Sequence, residues 1–507
     1  MTLGRGDRSS FLPNRYDGAR RRAPDADTAV SDQVVASAPR LCEIVVPLTP
    51  AIDAAEGAPI SHSMRTALAA LRVGELLGLD ARALTDLYYA ALLKDLGATS
   101  ARSKAAHMFG PGTGAIYHAL HQADFSTLRG ALKVAGPLLR TRAPLGRRLA
   151  NFMDMTVGGA RGPAEIERLR GRSGASIALD MGFTRGTADA ILARNERWDG
   201  RGRTDGDSGP AIAIGGRILN VAQNLVSAWF RGGVAEAVDH LKEHAGTRLD
   251  PEAVAAALRL LAEPTFEAEL GSKEIEQLVI AAEPNARGYV SASRVDRVFS
   301  GFARFIDAKS PWKYRHSERV RELAVGAALQ LDGVNWAGSA CLRRLKRAAL
   351  LHDIARLATP SEMIDSDRTF SDTELQLMRA DQPIAPGVLD RVLDLADEAP
   401  VTETYVTAEP PGLVSEGPNA LSRLECCELI HTLLEQAEKF EALTAPRPHR
   451  ERKSLEDAVA VLRSEAAGAN QVARAALAGL ELFLATPAAR AVLAPRTFEP
   501  SAIVVVD

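Results

Sequence analysis

The residues best suited to chemistry gather around one doublet. His352 and Asp353 stand side by side at the end of an apolar helical run, Ala348-Ala349-Leu350-Leu351. His316 lies 36 residues earlier (352 less 316), at the start of another helical pattern. An imidazole nitrogen and a carboxylate oxygen on adjacent residues can take neighbouring coordination positions, and a distant histidine can complete the cluster. Mixed nitrogen and oxygen donors suit Fe, Mn, Zn or a similar divalent ion. Such an ion lowers the pKa of bound water and neutralises phosphoryl oxygens. The doublet alone is weak evidence, because a chain with 10 His produces one His-Asp pair readily by accident. Its place in the organisation of the chain gives it weight.

The elements that must position these groups read as helices. Ser63 to Leu77, Asp80 to Lys94 and Arg319 to Leu331 repeat apolar residues at spacings of three and four, with Ala and Leu dominant. Few runs alternate with period two. Asp250-Pro251-Glu252 puts a capping Asp before a Pro at the first helical position. Ser371-Asp372-Thr373-Glu374 reads as a capping box. Aromatic residues are only 5% of the chain, so the core is expected to be Ala/Leu/Val helix packing and the fold class all-α.

The helices recur. Ala90-Ala91-Leu92-Leu93-Lys94-Asp95-Leu96 returns as Ala348-Ala349-Leu350-Leu351-His352-Asp353-Ile354, an offset of 258 (353 less 95). Ser61-His62-Ser63-Met64-Arg65 is echoed by Arg315-His316-Ser317-Glu318-Arg319, an offset of 254 (316 less 62). Ala235-Glu236-Ala237-Val238 is echoed by Glu456-Asp457-Ala458-Val459, where the offset has fallen to 221 (458 less 237). One Ala-Leu heptamer recurs easily by chance; three matches in order argue for two copies of one domain. The falling offset makes the second copy shorter in its middle or late part. The expected layout is an unstructured arm at 1–40, a first copy at 41–262, a helical connector at 263–305, a second copy at 306–488 and a tail at 489–507. Within that tail, Ala502 to Val506 is an apolar run left open between a short docked strand and a loose end.

The second copy resembles the HD-GYP domains, a branch of the HD metal-dependent phosphohydrolases. The resemblance rests on His316 to Val320, on Ala348 to Leu357, on Pro360 to Ile364 and on Phe440-Glu441-Ala442-Leu443-Thr444. The first copy is similar to the HHERWDGxGYP signature at Asn195-Glu196-Arg197-Trp198-Asp199-Gly200-Arg201-Gly202, and to the segment after it at Gly216 to Ala222. The motifs are specific together and weak singly. The resemblance implies helical bundles that hold two or three metal ions and hydrolyse cyclic di-GMP to pGpG or GMP.

Residue by residue, the first copy keeps His62 and Asp95 at ligand positions. Lys94 stands where the doublet's His belongs, Arg170 near the next ligand, Arg194-Asn195 at the His-His pair, Arg203 and Thr204 at the Tyr and Pro of GYP, and Gln223 at the late Asp. An ammonium has no lone pair for a metal. This copy is therefore expected to be metal-free. Lys94, Arg170 and Arg194 fall where metals would sit, either to hold an anion such as a nucleotide phosphate or to pair with local carboxylates. The second copy keeps His316, His352 and Asp353, with Asp381 and Glu438 as further oxygen donors. Arg356, in place of the family's lysine, would stabilise phosphoryl charge beside a catalytic Asp353. The His-His-Glu-Arg block is replaced by Ala399 to Asn419, without His. The ligand set implies a mononuclear site, in the second copy only.

Composition bounds the alternatives. With 61 Lys+Arg against 64 Asp+Glu the net charge is -3, which supports neither a broad nucleic-acid surface nor an anionic-membrane one. No window approaches the ~20 apolar residues of a membrane helix. The Arg-bearing first 40 residues lack the apolar run of a signal peptide. Cys42, Cys341, Cys426 and Cys427 are too few for a disulfide framework and are expected as buried or free thiols in a reducing cytoplasm. Gly200-Arg201-Gly202 and Gly215-Gly216 do not make a P-loop. His107, His118 and His121, in an apparent insertion, read as ordinary surface histidines, and Trp198 as a packing residue.

Two functional readings follow. One is a metal-dependent phosphodiesterase acting at the second copy on cyclic di-GMP or a related phosphoester. The other is a signalling protein of lost or weak catalysis that binds a cyclic dinucleotide or a protein partner. The missing ligands favour the second; the three surviving early ligands keep the first.

Overall fold

Apolar residues spaced by three and four fold as helices across the chain. The computed structural model describes residues 39–109, 161–201, 207–285, 289–331, 340–359, 371, 388–397, 423–446 and 451–494. Among the described residues there is no strand, only two isolated bridges, Arg40 with Tyr289 and Ala245 with Leu249. The expected all-α class is what the structure shows.

The first half runs through α1 (Leu41–Val45), α2 (Thr49–Glu56), α3 (His62–Leu76), α4 (Ala81–Leu93), α5 (Ala98–Phe109), α6 (Arg161–Asp180), α7 (Arg185–Ala193), α8 (Ile214–His244) and α9 (Pro251–Leu261). Short helices α10 (Pro264–Gly271) and α11 (Ile275–Ala281) lead to α12 (Ala292–Asp307). The second half has α13 (His316–Ala328), α14 (Ala340–Leu351), α15 (Val388–Asp397), α16 (Arg423–Thr444), α17 (Leu455–Ala466), α18 (Gln471–Leu484) and α19 (Pro487–Leu493). Local chemistry sets several ends. Asp80 caps α4 by accepting from the Ala83 N–H at 2.8 Å. Asp250 accepts from the Glu252 and Ala253 N–H groups at 2.8 and 3.3 Å, with Pro251 opening α9 as expected. α8 breaks at Gly232-Gly233, where Gly233 has φ +70° and ψ -158°, a conformation open essentially to glycine alone.

Two apolar clusters form the interior. The larger collects α1 to α4, α8, α9 and α12 together with Leu350, Leu351, Ile354 and Leu357. The smaller collects α13, α16, α17, α18 and α19 around Leu342 and Leu345. Helix α14 therefore serves both clusters, its early leucines in one and its late leucines in the other. The doublet His352-Asp353 leaves its end between them, followed by a 3-10 turn at Ile354–Leu357. Lys309 ties that turn down by donating to the Arg356 carbonyl at 3.0 Å and to the Leu357 carbonyl.

The entries to α3 and α13 match in detail. Ser61 (φ +69°) and Arg315 (φ +56°) are the non-glycine residues with positive φ among the described residues. Each precedes a histidine. Ser63 donates its N–H to Asp53 at 3.0 Å, and Ser317 donates to Asp307 at 3.0 Å. The serine hydroxyls bond the same aspartates at 2.6 and 2.7 Å. The left-handed conformation costs an ordinary residue roughly 1–2 kcal/mol, so its repetition beside the same buried Asp-Ser pair is a shared local device.

Cys42 is a buried free thiol, as expected. Cys341 is disulfide-bonded, which corrects the expectation of thiols at that position. Among the described residues no single helix is long and apolar enough to cross a membrane. The bent pair α18 and α19 passes by length and composition, but Leu477, Leu480 and Phe483 of α18 are packed in the smaller cluster. The 1–38 arm, His118, His121, Arg203, Thr204, Asp372 to Glu374, Asp381, the 399–419 replacement and the 502–506 run lie outside the described residues.

Candidate metal centre

The left-handed turn at Arg315 delivers His316 into the interior at the first residue of α13, 1% exposed. Its Nδ1–H donates to Glu441 Oε2 on α16 at 2.6 Å, which fixes the ring. His352 donates its Nδ1–H to the Ala349 carbonyl at 2.8 Å. A carbonyl only accepts, so in the neutral ring Nε2 carries the lone pair. The two rings stand 5.2 Å apart between centroids. Both Nε2 atoms face Asp353 Oδ2, at 3.5 Å from His316 and 3.7 Å from His352. Neither Nε2 has a hydrogen-bond partner, and both are buried. The ligand-type atoms of His316, His352 and Asp353 lie within 4.8 Å of one another, the one such cluster found among the described residues.

The surroundings set the charges. Burial pushes the His352 imidazole down, and the neighbouring His316 opposes the lift from Asp353. Burial also works against charge on His316, but the carboxylates of Asp353 and Glu441 outweigh it and raise it to about 9. Asp353 is held well below the usual carboxylate range: Lys313, His316 and His352 outweigh its desolvation. Burial would raise Glu441, yet its contacts with His316 and Arg319 pull it down to about 2. The arrangement is a carboxylate–histidine–donor relay of the kind that orients metal ligands. Two orphaned imidazole nitrogens and one carboxylate oxygen, buried and convergent, fit a single divalent ion. To hold an ion there His316 would have to give up its proton, as metal ligation requires of its donors.

Glu438 does not join the cluster. It pairs instead with Arg356, whose Nη2 lies 3.0 Å from Glu438 Oε1 and whose Nε lies 2.7 Å from Asp353 Oδ1. The remaining oxygen, Asp353 Oδ2, accepts from Lys313 Nζ.

The corresponding place in the first half is built differently. Asp95 is 2% exposed and meets three cations. Lys94 Nζ donates to its Oδ2, Arg170 Nη2 donates to its Oδ1, and Arg194 Nη2 reaches the same Oδ1 at 3.4 Å. Arg170 also pairs with Glu56 at 2.9 Å and lies 4.0 Å from Glu167. Three cations therefore sit against three carboxylates. Burial opposes charge on Asp95, but Lys94, Arg170 and Arg194 hold its carboxyl far below the ordinary range. Burial and then Arg170 lower Arg194. Of the two uses expected for these cations, the structure shows pairing with local carboxylates, not an open anion site. His62 turns its Nε2 to Ser227 Oγ at 3.0 Å. Gln223 bonds Asn195 Oδ1 at 3.0 Å and the Arg194 carbonyl at 3.2 Å. The close approach of α6 depends on Gly97, where a Cβ would collide with the Arg170 carbonyl oxygen. Trp198 has the Arg217 guanidinium 5.7 Å over its ring, in keeping with a packing role.

The comparisons with known proteins bear on these sites. Residues 163–253 match the HD domain family. The HD-domain match holds Arg170, Arg194 and Trp198, and stops short of His316, His352 and Asp353. Over 436 residues the chain is 25% identical to the 3'3'-cGAMP-specific phosphodiesterase 3 of Vibrio cholerae, covering 83% of this chain and 90% of that protein. Over 203 residues it is 25% identical to the 3'3'-cGAMP-specific phosphodiesterase 1 of the same organism, covering 40% of each. The crystal structure of a cyclic GMP-AMP specific phosphodiesterase of V. cholerae superimposes with a TM-score of 0.59 at 23% identity, over 88% of this chain and 97% of that one. At that identity the likeness establishes the helical fold.

Sequence reasoning missed Lys313, Glu441, Glu56 and Glu167. Glu441 was signalled by its place in Phe440-Glu441-Ala442-Leu443-Thr444. Lys313, three residues before His316, carries no motif.

Proposed function

We propose that the chain is a divergent HD-type signalling protein of two copies, 41–262 and 306–488 joined by 263–305, that binds a cyclic dinucleotide with hydrolysis lost or weak. The observation that carries the reading is the contrast between the two aspartates. Around Asp95 three of the metal-ligand positions are taken by the protein cations Lys94, Arg170 and Arg194, whereas around Asp353 three donors suit one ion and no second set accompanies them among the described residues. The paired Asp-Ser caps and left-handed residues at the entries to α3 and α13 support two copies. By that correspondence Asp307 answers to Asp53, so the second copy starts within α12. The names of the Vibrio cholerae relatives support a cyclic dinucleotide as ligand.

His316, His352 and Asp353 would hold the ion; Glu441 fixes the His316 ring and the Ala349 carbonyl fixes the His352 ring. A divalent ion there would supply a polarised water and neutralise phosphoryl charge. Arg356, half exposed and anchored on Asp353, is placed to meet a phosphate at the rim. The convergent cluster also favours a second reading, that of a phosphodiesterase acting at this site. Calorimetry with 3'3'-cGAMP and cyclic di-GMP, beside a hydrolysis assay with Mn, Fe or Zn, separates the two. Saturable binding with negligible turnover supports the first. Turnover near the usual enzymatic range of about 1 s⁻¹ or above, abolished by Asp353→Ala, establishes the second. An absence of both binding and turnover overturns both.

A further inference from the structure

The two copies reach one charge arrangement by different routes. In the first, a lysine Nζ sits on Oδ2 of Asp95 and an arginine on Oδ1. In the second, a lysine Nζ sits on Oδ2 of Asp353 and an arginine on Oδ1. The lysines are not equivalent in the chain. Lys94 immediately precedes its aspartate, whereas Lys313 comes from the 3-10 turn Pro311–Lys313, 40 residues before Asp353. Lys313 is 5% exposed. Its turn is held by the Lys313 N–H donating to the Ser310 carbonyl at 3.0 Å and the Trp312 N–H to Ser310 Oγ at 3.3 Å.

The atom that Lys313 engages is decisive. Oδ2 of Asp353 is the oxygen faced by both orphaned histidine nitrogens, at 3.5 and 3.7 Å. Any ion drawn to the three donors must take this oxygen. An ammonium and a divalent cation cannot share it, because two positive centres a few ångströms apart in a buried site repel strongly. We infer that Lys313 is an internal competitor for the metal: its ammonium holds Asp353 Oδ2 and must be displaced before His316, His352 and Asp353 can close on an ion. This rests on the metal-centre reading above. It casts the second copy as a partial form of the first, where Lys94 has taken the position outright. Lys313 is thus a positioning residue that sets how readily the site loads.

The test uses the full chain stripped with chelator and titrated calorimetrically with Mn²⁺ alone. Removing the competitor should raise the apparent affinity of Lys313→Met about tenfold or more over wild type, since the competent fraction no longer waits on displacement. Lys313→Arg, which keeps the cation, should stay weak like wild type. Lys313→Met/Asp353→Ala should lose the gain. The melting temperature of metal-free Lys313→Met should rise with added Mn²⁺ more than that of wild type. Equal affinity in wild type and a folded Lys313→Met overturns the competition; if Asp353→Ala then abolishes wild-type binding, the metal-centre reading stands. Absence of Asp353-dependent Mn²⁺ binding in every variant overturns both. Should Lys313→Met fail to fold, Lys313→Gln, which keeps a polar end without charge, takes its place with the same outcomes.

Discussion

Asp95 and Asp353 each lie two residues past the end of an Ala-Leu helix, α4 and α14, and meet opposite surroundings. Asp95 is enclosed by Lys94, Arg170 and Arg194, which are all nearly fully buried and are balanced in turn by Glu56 and Glu167. Asp353 has two imidazoles on one side, one lysine, and an arginine whose side chain is 52% exposed. Around Asp95 the charges close into an internal ion-pair network. Around Asp353 two buried imidazole nitrogens are left without a hydrogen-bond partner. A buried aspartate at a helix end can thus have its charge fully satisfied by cations or sit among groups able to ligate an ion.

The largest effect that would test this difference is loss of Asp95. Asp95→Ala leaves three buried cations without their shared carboxylate, a change that typically costs about 3–5 kcal/mol. Chemical denaturation should show it. Asp353→Ala strands one buried cation, Lys313, in place of three, beside a half-exposed arginine and a histidine able to lose its proton, and should cost less. Equal losses would erase the contrast. Next in size is the response to metal. Saturating Mn²⁺ or Zn²⁺ at about a hundred times Kd should stabilise wild type by about 2.7 kcal/mol. His352→Ala should lose that gain and His62→Ala should keep it; a gain that His62→Ala removes would place the ion beside His62. Gly97→Ala tests the packing that delivers Arg170. Overfilling that contact should cost about 1–3 kcal/mol, with no effect on metal response.

The smallest expected effect is a pH dependence at the entry to α3. Burial raises Asp53 to about 6 despite its bonds from Ser63 and the nearby Lys94. A carboxyl raised above its unfolded value stabilises the fold while protonated. Its contribution is complete below about 3.8 and is lost as pH climbs through about 6. Asp53→Asn should therefore lag wild type most near pH 4, and the gap should narrow by pH 7. A constant gap in melting temperature across that range would show that Asp53 does not titrate there.

Much of this was legible in the chain. Apolar spacing located α3 and α4 within a residue at each end, whereas α13 runs from His316 to Ala328, three residues earlier at both ends than the Arg319 to Leu331 pattern. Asp250-Pro251 marked the start of α9 because a cap is a contact between near neighbours. The Ala-Ala-Leu-Leu runs before Lys94-Asp95 and before His352-Asp353 marked two helix ends, at Leu93 and Leu351. What spacing did not carry were the partners of buried charges. Glu438 looked like the late carboxylate, yet Glu441, one helical turn on, is the one that meets His316, across 125 residues of sequence. Lys313 gave no sign of its destination, since nothing local distinguishes a lysine bound for a buried carboxylate from one bound for water.

The sequence by itself determined that the chain is helical and that His316, His352 and Asp353 are the donors to watch. Those features rest on periodicity and neighbouring residues. Only the tertiary structure decided which charges neutralise which. A buried ion pair is chosen by what the packed helices bring within a few ångströms, and the helices that carry Arg170, Glu441 and Lys313 to their carboxylates are far apart along the chain.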